Sequence, residues 1–167
     1  AGTFLVEKQP NDKEANAHIV HTYQAYEALS KRYEGTKIRM NECKRTPQSI
    51  VFPFCPGKTL EELLDERLDE QDAEGFRKLI EEYMYWLSYN EEANVSNIDF
   101  IFPNILVDGD TWHVIDYEWN FDRKVPAKDI AFRAFYNYLL GGEGRKACEE
   151  LLMQDVLHLT EEEKQQA

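Results

Sequence analysis

Asp99, Asn104 and Asp116 are the residues whose types and spacing could do chemistry together. Asn104-Ile105-Leu106-Val107 and Thr111-Trp112-His113-Val114-Ile115-Asp116 read as two strands joined at Asp108-Gly109-Asp110, a hairpin turn sequence. With the turn centred near Gly109, antiparallel register sets Asn104 opposite about Ile115. Asn104 and Asp116 then emerge together at the open end of the hairpin. A carboxamide oxygen beside a carboxylate suits Mg²⁺, which takes one or two carboxylates and fills its shell with water and substrate phosphates. Asp99, five positions before Asn104, is expected on a loop that the preceding helix delivers to the same end. A third carboxylate, near the metal but not needed to bind it, can accept a hydroxyl proton.

The elements around this constellation follow from periodicity and punctuation. Thr3 to Lys8 has strand character and stops at Pro10. Asn11 or Asp12 can cap a helix to about Tyr33, with Ala15, Ile19, Tyr23, Tyr26 and Leu29 as its apolar stripe. Strands are expected at Lys37–Asn41 and Ser49–Phe54, the second ending at Pro53 or lying open there, because proline lacks a backbone donor. Thr59-Leu60-Glu61-Glu62 matches a capping box and opens a short helix. Asp72 opens another, whose Phe76, Leu79, Ile80, Tyr83, Met84 and Leu87 share one face. From about Ala127 the chain reads as helix, interrupted at Gly141–Gly144 and ending in a polar, frayed tail from Glu161.

Composition narrows the function classes. The 167 residues are 43% hydrophobic and 13% aromatic, enough for one sizeable core or two small lobes sharing a cleft. The net charge of −13 repels phosphate backbones and anionic membranes, so nucleic acid is not an expected partner. A nucleotide stays compatible, because Mg²⁺ can sit between carboxylates and phosphates. Cys43, Cys55 and Cys148 form no CxxC pair, which points to a reducing, cytoplasmic compartment rather than a disulfide framework or zinc site. No apolar run approaches the roughly 18 residues of a membrane span, so direct insertion is not expected. The opening Ala1-Gly2, running directly into strand character, reads as a piece excised from a longer protein whose other domains are expected partners.

Asn97-Ile98-Asp99-Phe100-Ile101-Phe102-Pro103-Asn104-Ile105-Leu106-Val107 resembles the catalytic loop of the choline/aminoglycoside phosphotransferase branch of the protein-kinase-like superfamily. Val114-Ile115-Asp116-Tyr117-Glu118-Trp119 is similar to that branch's metal-binding Asp segment. Pro126-Ala127-Lys128-Asp129-Ile130-Ala131 is similar to its downstream motif, whose Asp braces the catalytic loop. The resemblance implies Asp99 as catalytic base, Asn104 and Asp116 as metal ligands and Asp129 as structural support. It further implies Lys8 as a contact to the nucleotide phosphates, Glu14 as its ion-pair partner, and a backbone contact from Phe54 or Cys55 to the adenine edge. ATP and Mg²⁺ are the implied cofactors.

Two features depart from the pattern: no glycine-rich phosphate loop precedes Lys8, and Asn97 stands where His is usual. The Asp-Tyr-Glu-Trp segment also resembles kinase modules of bacterial cell-envelope polysaccharide enzymes. Plainer readings attach to other residues. His18 and His21 lack a third metal ligand, Glu118 is equally a solvated carboxylate, and Trp119, Phe121, Tyr136 and Tyr138 fit a core better than a sugar platform.

The expected fold is α+β and two-lobed, protein-kinase-like. A reduced lobe of strands and one helix covers residues 1–55, and a mainly helical lobe with the catalytic loop and hairpin covers 56–167. The expected reaction transfers the ATP γ-phosphoryl group to a hydroxyl of a small molecule or glycan. The rival is a non-catalytic, kinase-like binding module of a larger enzyme.

Overall fold

The computed structural model describes residues 5–9, 13–47, 49–117 and 120–149. The expected caps at Asn11 and Asp12, the side chain of Glu14, Glu118, Trp119 and the polar tail lie outside the described residues. The structure is α+β. Strand β1 (Leu5–Lys8) precedes helix α1 (Lys13–Arg32), followed by β2 (Ile38–Met40), β3 (Lys44–Arg45), β4 (Ile50–Pro53) and β5 (Lys58–Thr59). Helices α2 (Leu60–Asp69) and α3 (Ala73–Ser88) lead to β6 (Ser96–Asn97), a 3₁₀ turn at Phe102–Asn104, and the hairpin β7 (Ile105–Asp108) and β8 (Thr111–Val114). Strand β9 (Asn120–Phe121), α4 (Ala127–Leu140) and a 3₁₀ segment at Glu143–Cys148 complete the described chain.

The strands form three sheets, ordered β1-β4-β3, β2-β8-β7-β5 and β6-β9. The hairpin takes the register expected of it, with Ile105 opposite Val114 and Asp108 opposite Thr111. Gly109 opens its two-residue loop at φ +55°, a left-handed value that costs glycine little because it has no Cβ. The boundary expected near residue 55 falls between β4 and β5, yet one sheet spans it. β2 pairs in parallel with β8, Ile38 opposite Trp112 and Met40 opposite Val114. Among the described residues no helix is long and apolar enough to cross a membrane.

Helix ends follow local chemistry. Thr59 Oγ1 accepts from the Glu62 backbone N–H at 3.1 Å, and the Thr59 N–H donates to Glu62 Oε2 at 2.7 Å, closing the capping box. Asp72 Oδ1 accepts from the Gly75 N–H at 2.9 Å and starts α3. On α3 the residues Phe76, Ile80, Tyr83 and Leu87 are buried, and Leu79 and Met84 pack at the edge of the core. Helix α1 buries a face that includes polar residues: Thr22, Ala25, Leu29 and Arg32 join Ile19, while Tyr23 and Tyr26 are only partly covered. Apolar periodicity showed Ile19 and Leu29 on this face but not Thr22 and Arg32, whose polar groups are satisfied internally. Thr22 Oγ1 donates to His18 O within the helix at 2.9 Å.

Arg32 is the larger case. It is 6% exposed, and its guanidinium donates to Tyr89 O at 3.0 Å, Val95 O at 2.9 Å and Leu87 O at 3.1 Å. Asn90 Nδ2 donates back to Arg32 O at 3.3 Å. One planar fork therefore ties the end of α1 to the end of α3 and to the segment entering β6. A cation there also meets the negative end of the α3 dipole. A second arginine closes the far side: Arg145 donates to both oxygens of Asp65 on α2, at 2.8 and 2.6 Å, and stacks 4.3 Å over the Tyr138 ring.

Arg32→Ala should lower the unfolding free energy by about 3 kcal/mol or more, since each buried carbonyl left unpaired costs roughly 1–3 kcal/mol. Arg32→Lys should recover less than half of that loss, because an ammonium cannot span three carbonyls in one plane. Urea denaturation of the three proteins checks both; equal stability of wild type and Arg32→Ala would remove the clamp from the account.

Candidate functional site

The hairpin's open end carries two of the candidate residues, Asn104 and Asp116. Ile115 N–H donates to Asn104 O at 2.9 Å, which extends the ladder one step beyond Ile105 and Val114 and sets Asn104 beside Ile115, as the register requires. The Asn104 Nδ2 amide donates to the backbone O of Asp99 at 3.0 Å. This bond commits the donor half of the carboxamide and leaves its Oδ1 as the half suited to a cation. Asp99, Asn104 and Asp116 are thus linked through two hydrogen bonds and one peptide step.

Asp116 is exposed and takes φ +52°, a left-handed backbone uncommon for a residue with a side chain. Its neighbours hold it there. Ile115 is bonded to Asn104, while Tyr117 is 1% exposed and donates its hydroxyl to Asn41 O at 2.7 Å. Burial pushes the Tyr117 phenol well above its ordinary range, so the hydroxyl stays a donor at neutral pH. Backbone strain held between two fixed flanks is a recurring property of functional positions.

Asp99 is 7% exposed. Its backbone N–H donates to Asn97 Oδ1 at 3.0 Å, and its carboxylate Oδ1 accepts from Arg133 Nη2 at 2.9 Å. The next residue is fastened from below: Tyr83, fully buried, donates its hydroxyl to Phe100 O at 2.7 Å. Its ring packs against Phe100 at 5.5 Å and edge-on to Phe102 at 4.9 Å between centroids.

The brace expected from Asp129 comes instead from Arg133. Asp129 lies in the first turn of α4, exposed, with no side-chain bond to the Asp99 loop among the described residues. Arg133, one turn further along the same helix, reaches the carboxylate. The rotation of α4 turns Asp129 to solvent while Ile130, Ala131 and Ala134 fill the core.

A cavity of ≈ 220 Å³ lies where the β1-β4-β3 sheet meets the hairpin. Four of the residues singled out in the sequence line it: Lys8, Phe54, Cys55 and Asp116. Val6, Phe52, Leu106 and Ile115 give it apolar walls. Asn41 lines it too and joins its halves. The Asn41 N–H donates to Val114 O at 2.8 Å, and its Nδ2 donates to Pro53 O at 3.1 Å. Lys8 Nζ sits 5.6 Å above the Phe52 ring. Asp99 and Asn104 are not part of the lining; they meet the cavity through Ile115 and Asp116. The sequence signal for Asn41, a polar residue closing the Ile38–Met40 strand, resembles that of any strand end, and Arg133 carried no motif at all.

The donor set can be tested against the implied groups. Among the described residues no three of His, Cys, Asp and Glu cluster as a metal-holding group. One carboxylate from Asp116 and one carboxamide oxygen from Asn104 fit the sparse protein ligation that Mg²⁺ accepts beside phosphates. The apolar walls with Lys8 at the margin fit a flat base carrying an anionic tail.

The cysteines give this cavity a chemical readout. All three are free. Cys55 is half-buried at the lining, where burial raises its thiol above the ordinary value; Cys43 and Cys148 are buried, and burial pushes their thiols up to about 11. At pH 8 a thiol with that pKa is ionised in about one molecule in a thousand, and the thiolate is the nucleophile. Iodoacetamide should therefore alkylate Cys55 well before Cys43 or Cys148 in the native protein, as read by peptide mass spectrometry. Equal rates at all three would show that the cavity is not open at Cys55.

Compared by sequence, the chain matches no protein-family model and no curated protein.

Proposed function

We propose that the chain is a phosphotransferase of two-lobed, protein-kinase-like fold that moves the γ-phosphoryl group of ATP to a hydroxyl of a small molecule or glycan. The observation that carries this reading is the convergence of Lys8, Phe54, Cys55 and Asp116, from separate segments of the chain, on one cavity, with Asn104 bonded both to Ile115 of its lining and to the backbone of Asp99. The cavity is smaller than the roughly 300–1,000 Å³ usual for whole ligands. It suits the base, with the phosphates running out past Lys8 toward Asp116.

In this mechanism Val6 and Phe52 on one side and Leu106 and Ile115 on the other hold the base, and the backbone at Phe54 and Cys55 meets its polar edge. Lys8 pairs with the phosphate oxygens. Asp116 and Asn104 Oδ1 would hold Mg²⁺, which would supply neutralisation of the phosphate charge. Asp99 accepts the proton of the acceptor hydroxyl as its oxygen bonds to the γ-phosphorus; the bond from that phosphorus to the β,γ-bridging oxygen breaks and ADP leaves. Arg133 keeps the Asp99 carboxylate in place, and the Tyr83–Phe100 bond fixes the backbone behind it. Placement of reactants and neutralisation of charge supply most of the rate, since the protein forms no covalent bond to the phosphoryl group.

Mg-ATP should raise the melting temperature, since a ligand at a hundredfold excess over Kd adds about 2.7 kcal/mol of stability. ATP with EDTA should do far less. Asp116→Ala should abolish the metal-dependent part. Asp99→Asn should keep the shift and lower phosphate transfer by about 10²–10⁴-fold, the usual contribution of a positioned base. A protein that ignores millimolar Mg-ATP is not this phosphotransferase; one that shifts with Mg-ATP and never turns over is a nucleotide-binding module.

A further inference from the structure

We propose that Arg133 selects the acceptor. The molecule whose hydroxyl meets Asp99 carries an anionic group, phosphate or carboxylate, close to that hydroxyl, and the Arg133 guanidinium binds it. This rests on the phosphotransfer reading of Asp99. The side chain of Arg133 is 49% exposed while that of Asp99 is 10% exposed, so the guanidinium faces solvent and the carboxylate lies behind it. A guanidinium offers five N–H donors in a planar fork. Arg133 gives one to Asp99 Oδ1, its one described contact. The contrast with Arg32, bonded to three carbonyls, and Arg145, bonded to both oxygens of Asp65, is plain: those forks are engaged by the fold. The fork of Arg133 matches a carboxylate or phosphate in the paired-donor geometry that arginine favours.

Position makes the acceptor and the fork meet. A hydroxyl that yields its proton to Asp99 must come within about 2.6–3.2 Å of that carboxylate, so a substituent on the neighbouring carbon falls within reach of the guanidinium. Charge points the same way. The chain carries a net charge of −13, yet residues 123–133 hold Arg123, Lys124, Lys128 and Arg133 against Asp129. Lys124 is engaged by Glu92 at 2.6 Å, and Arg123 lies 4.9 Å over the Phe121 ring. Asp129, one turn before Arg133, is exposed and makes no described bond to it. An anionic acceptor repelled by the rest of the surface finds a cation beside the base, whereas a cationic acceptor meets a like charge there.

The test uses the full chain with glucose 1-phosphate, glucuronate, glucose and choline as probes. Arginine Nε–H NMR should show the Arg133 signal shifting with glucose 1-phosphate or glucuronate at millimolar concentration and staying still with glucose and choline. Arg133→Gln should weaken anion binding at least tenfold, Arg133→Lys should restore part of it, and Arg123→Gln should change it less than twofold. In phosphate transfer, Arg133→Gln should lower kcat for every acceptor through its loss of hold on Asp99, and should raise KM for the anionic acceptor at least tenfold more than KM for glucose. No shift with either anion, equal losses from Arg123→Gln and Arg133→Gln, or an equal change in KM for charged and neutral acceptors would overturn the assignment. Mg-ATP binding is scored separately by melting temperature. If Mg-ATP binds and the anions do not, the acceptor inference fails alone; if the anions bind at Arg133 and Mg-ATP does not, the phosphotransfer reading fails.

Discussion

The pairing register of the hairpin β7–β8 is the constraint on which the rest depends. Both of its strands are interior to the four-stranded sheet: β8 is also bonded to β2, and β7 to β5. Its inward residues Ile105, Trp112 and Val114 are buried, so a slip of one residue would turn these side chains outward and is strongly disfavoured. The same register delivers Ile115 N–H to Asn104 O. Asn104 and Asp116 therefore stay together for the reason that the sheet stays together, and the site draws its precision from the burial of Trp112 and Val114.

Segments remote from the hairpin are attached to it by polar groups satisfied one at a time. Asn41 is the clearest instance, since its backbone, its amide and the Tyr117 hydroxyl it accepts link β8, β4 and the residue after Asp116. Arg32 does similar work between α1, α3 and the approach to β6. Each is buried, and each has several described partners, which is the condition under which a buried polar group adds definition to a fold instead of only a cost. An apolar residue at either place would pack, but it would say nothing about how the joined elements are angled.

This explains what was legible in the sequence. The capping box at Thr59, the cap at Asp72, the α3 stripe and the hairpin register all depend on residues within a few positions of one another, and the structure has them as expected. Convergence of Lys8, Phe54, Cys55 and Asp116 on one cavity was reachable because each sits at the end of a recognisable element. The polar members of the buried face of α1, the two-residue pairings β6–β9 and β5–β7, and the exchange of Asp129 for Arg133 were not legible. Arg32 reads as a solvent-facing arginine until Leu87, Tyr89 and Val95 are brought to it, and the rotation of α4 is set by Ile130, Ala131 and Ala134 filling a space made by other elements. Tertiary contacts decide such matters, and a local pattern contains none of them.

The segment beside Asp99 shows how stability and positioning compete in this fold. Asn97 and Asn120 face each other across β6–β9, both more than nine-tenths buried. Asn97 Nδ2 and Asn120 Oδ1 have no partner among the described residues, one a donor and the other an acceptor. Each unpaired buried group costs roughly 1–3 kcal/mol, so two apolar residues of like shape would pack there with less loss. What they could not supply is the Asn97 Oδ1 that receives the Asp99 N–H. That bond, the Tyr83 bond to Phe100 O and the Arg133 bond to the carboxylate fix Asp99 on its backbone side, on its C-terminal side and at its charged end. A side chain held from three directions is in place before anything binds to it, and the cost of the asparagine pair is local to the loop that this arrangement serves.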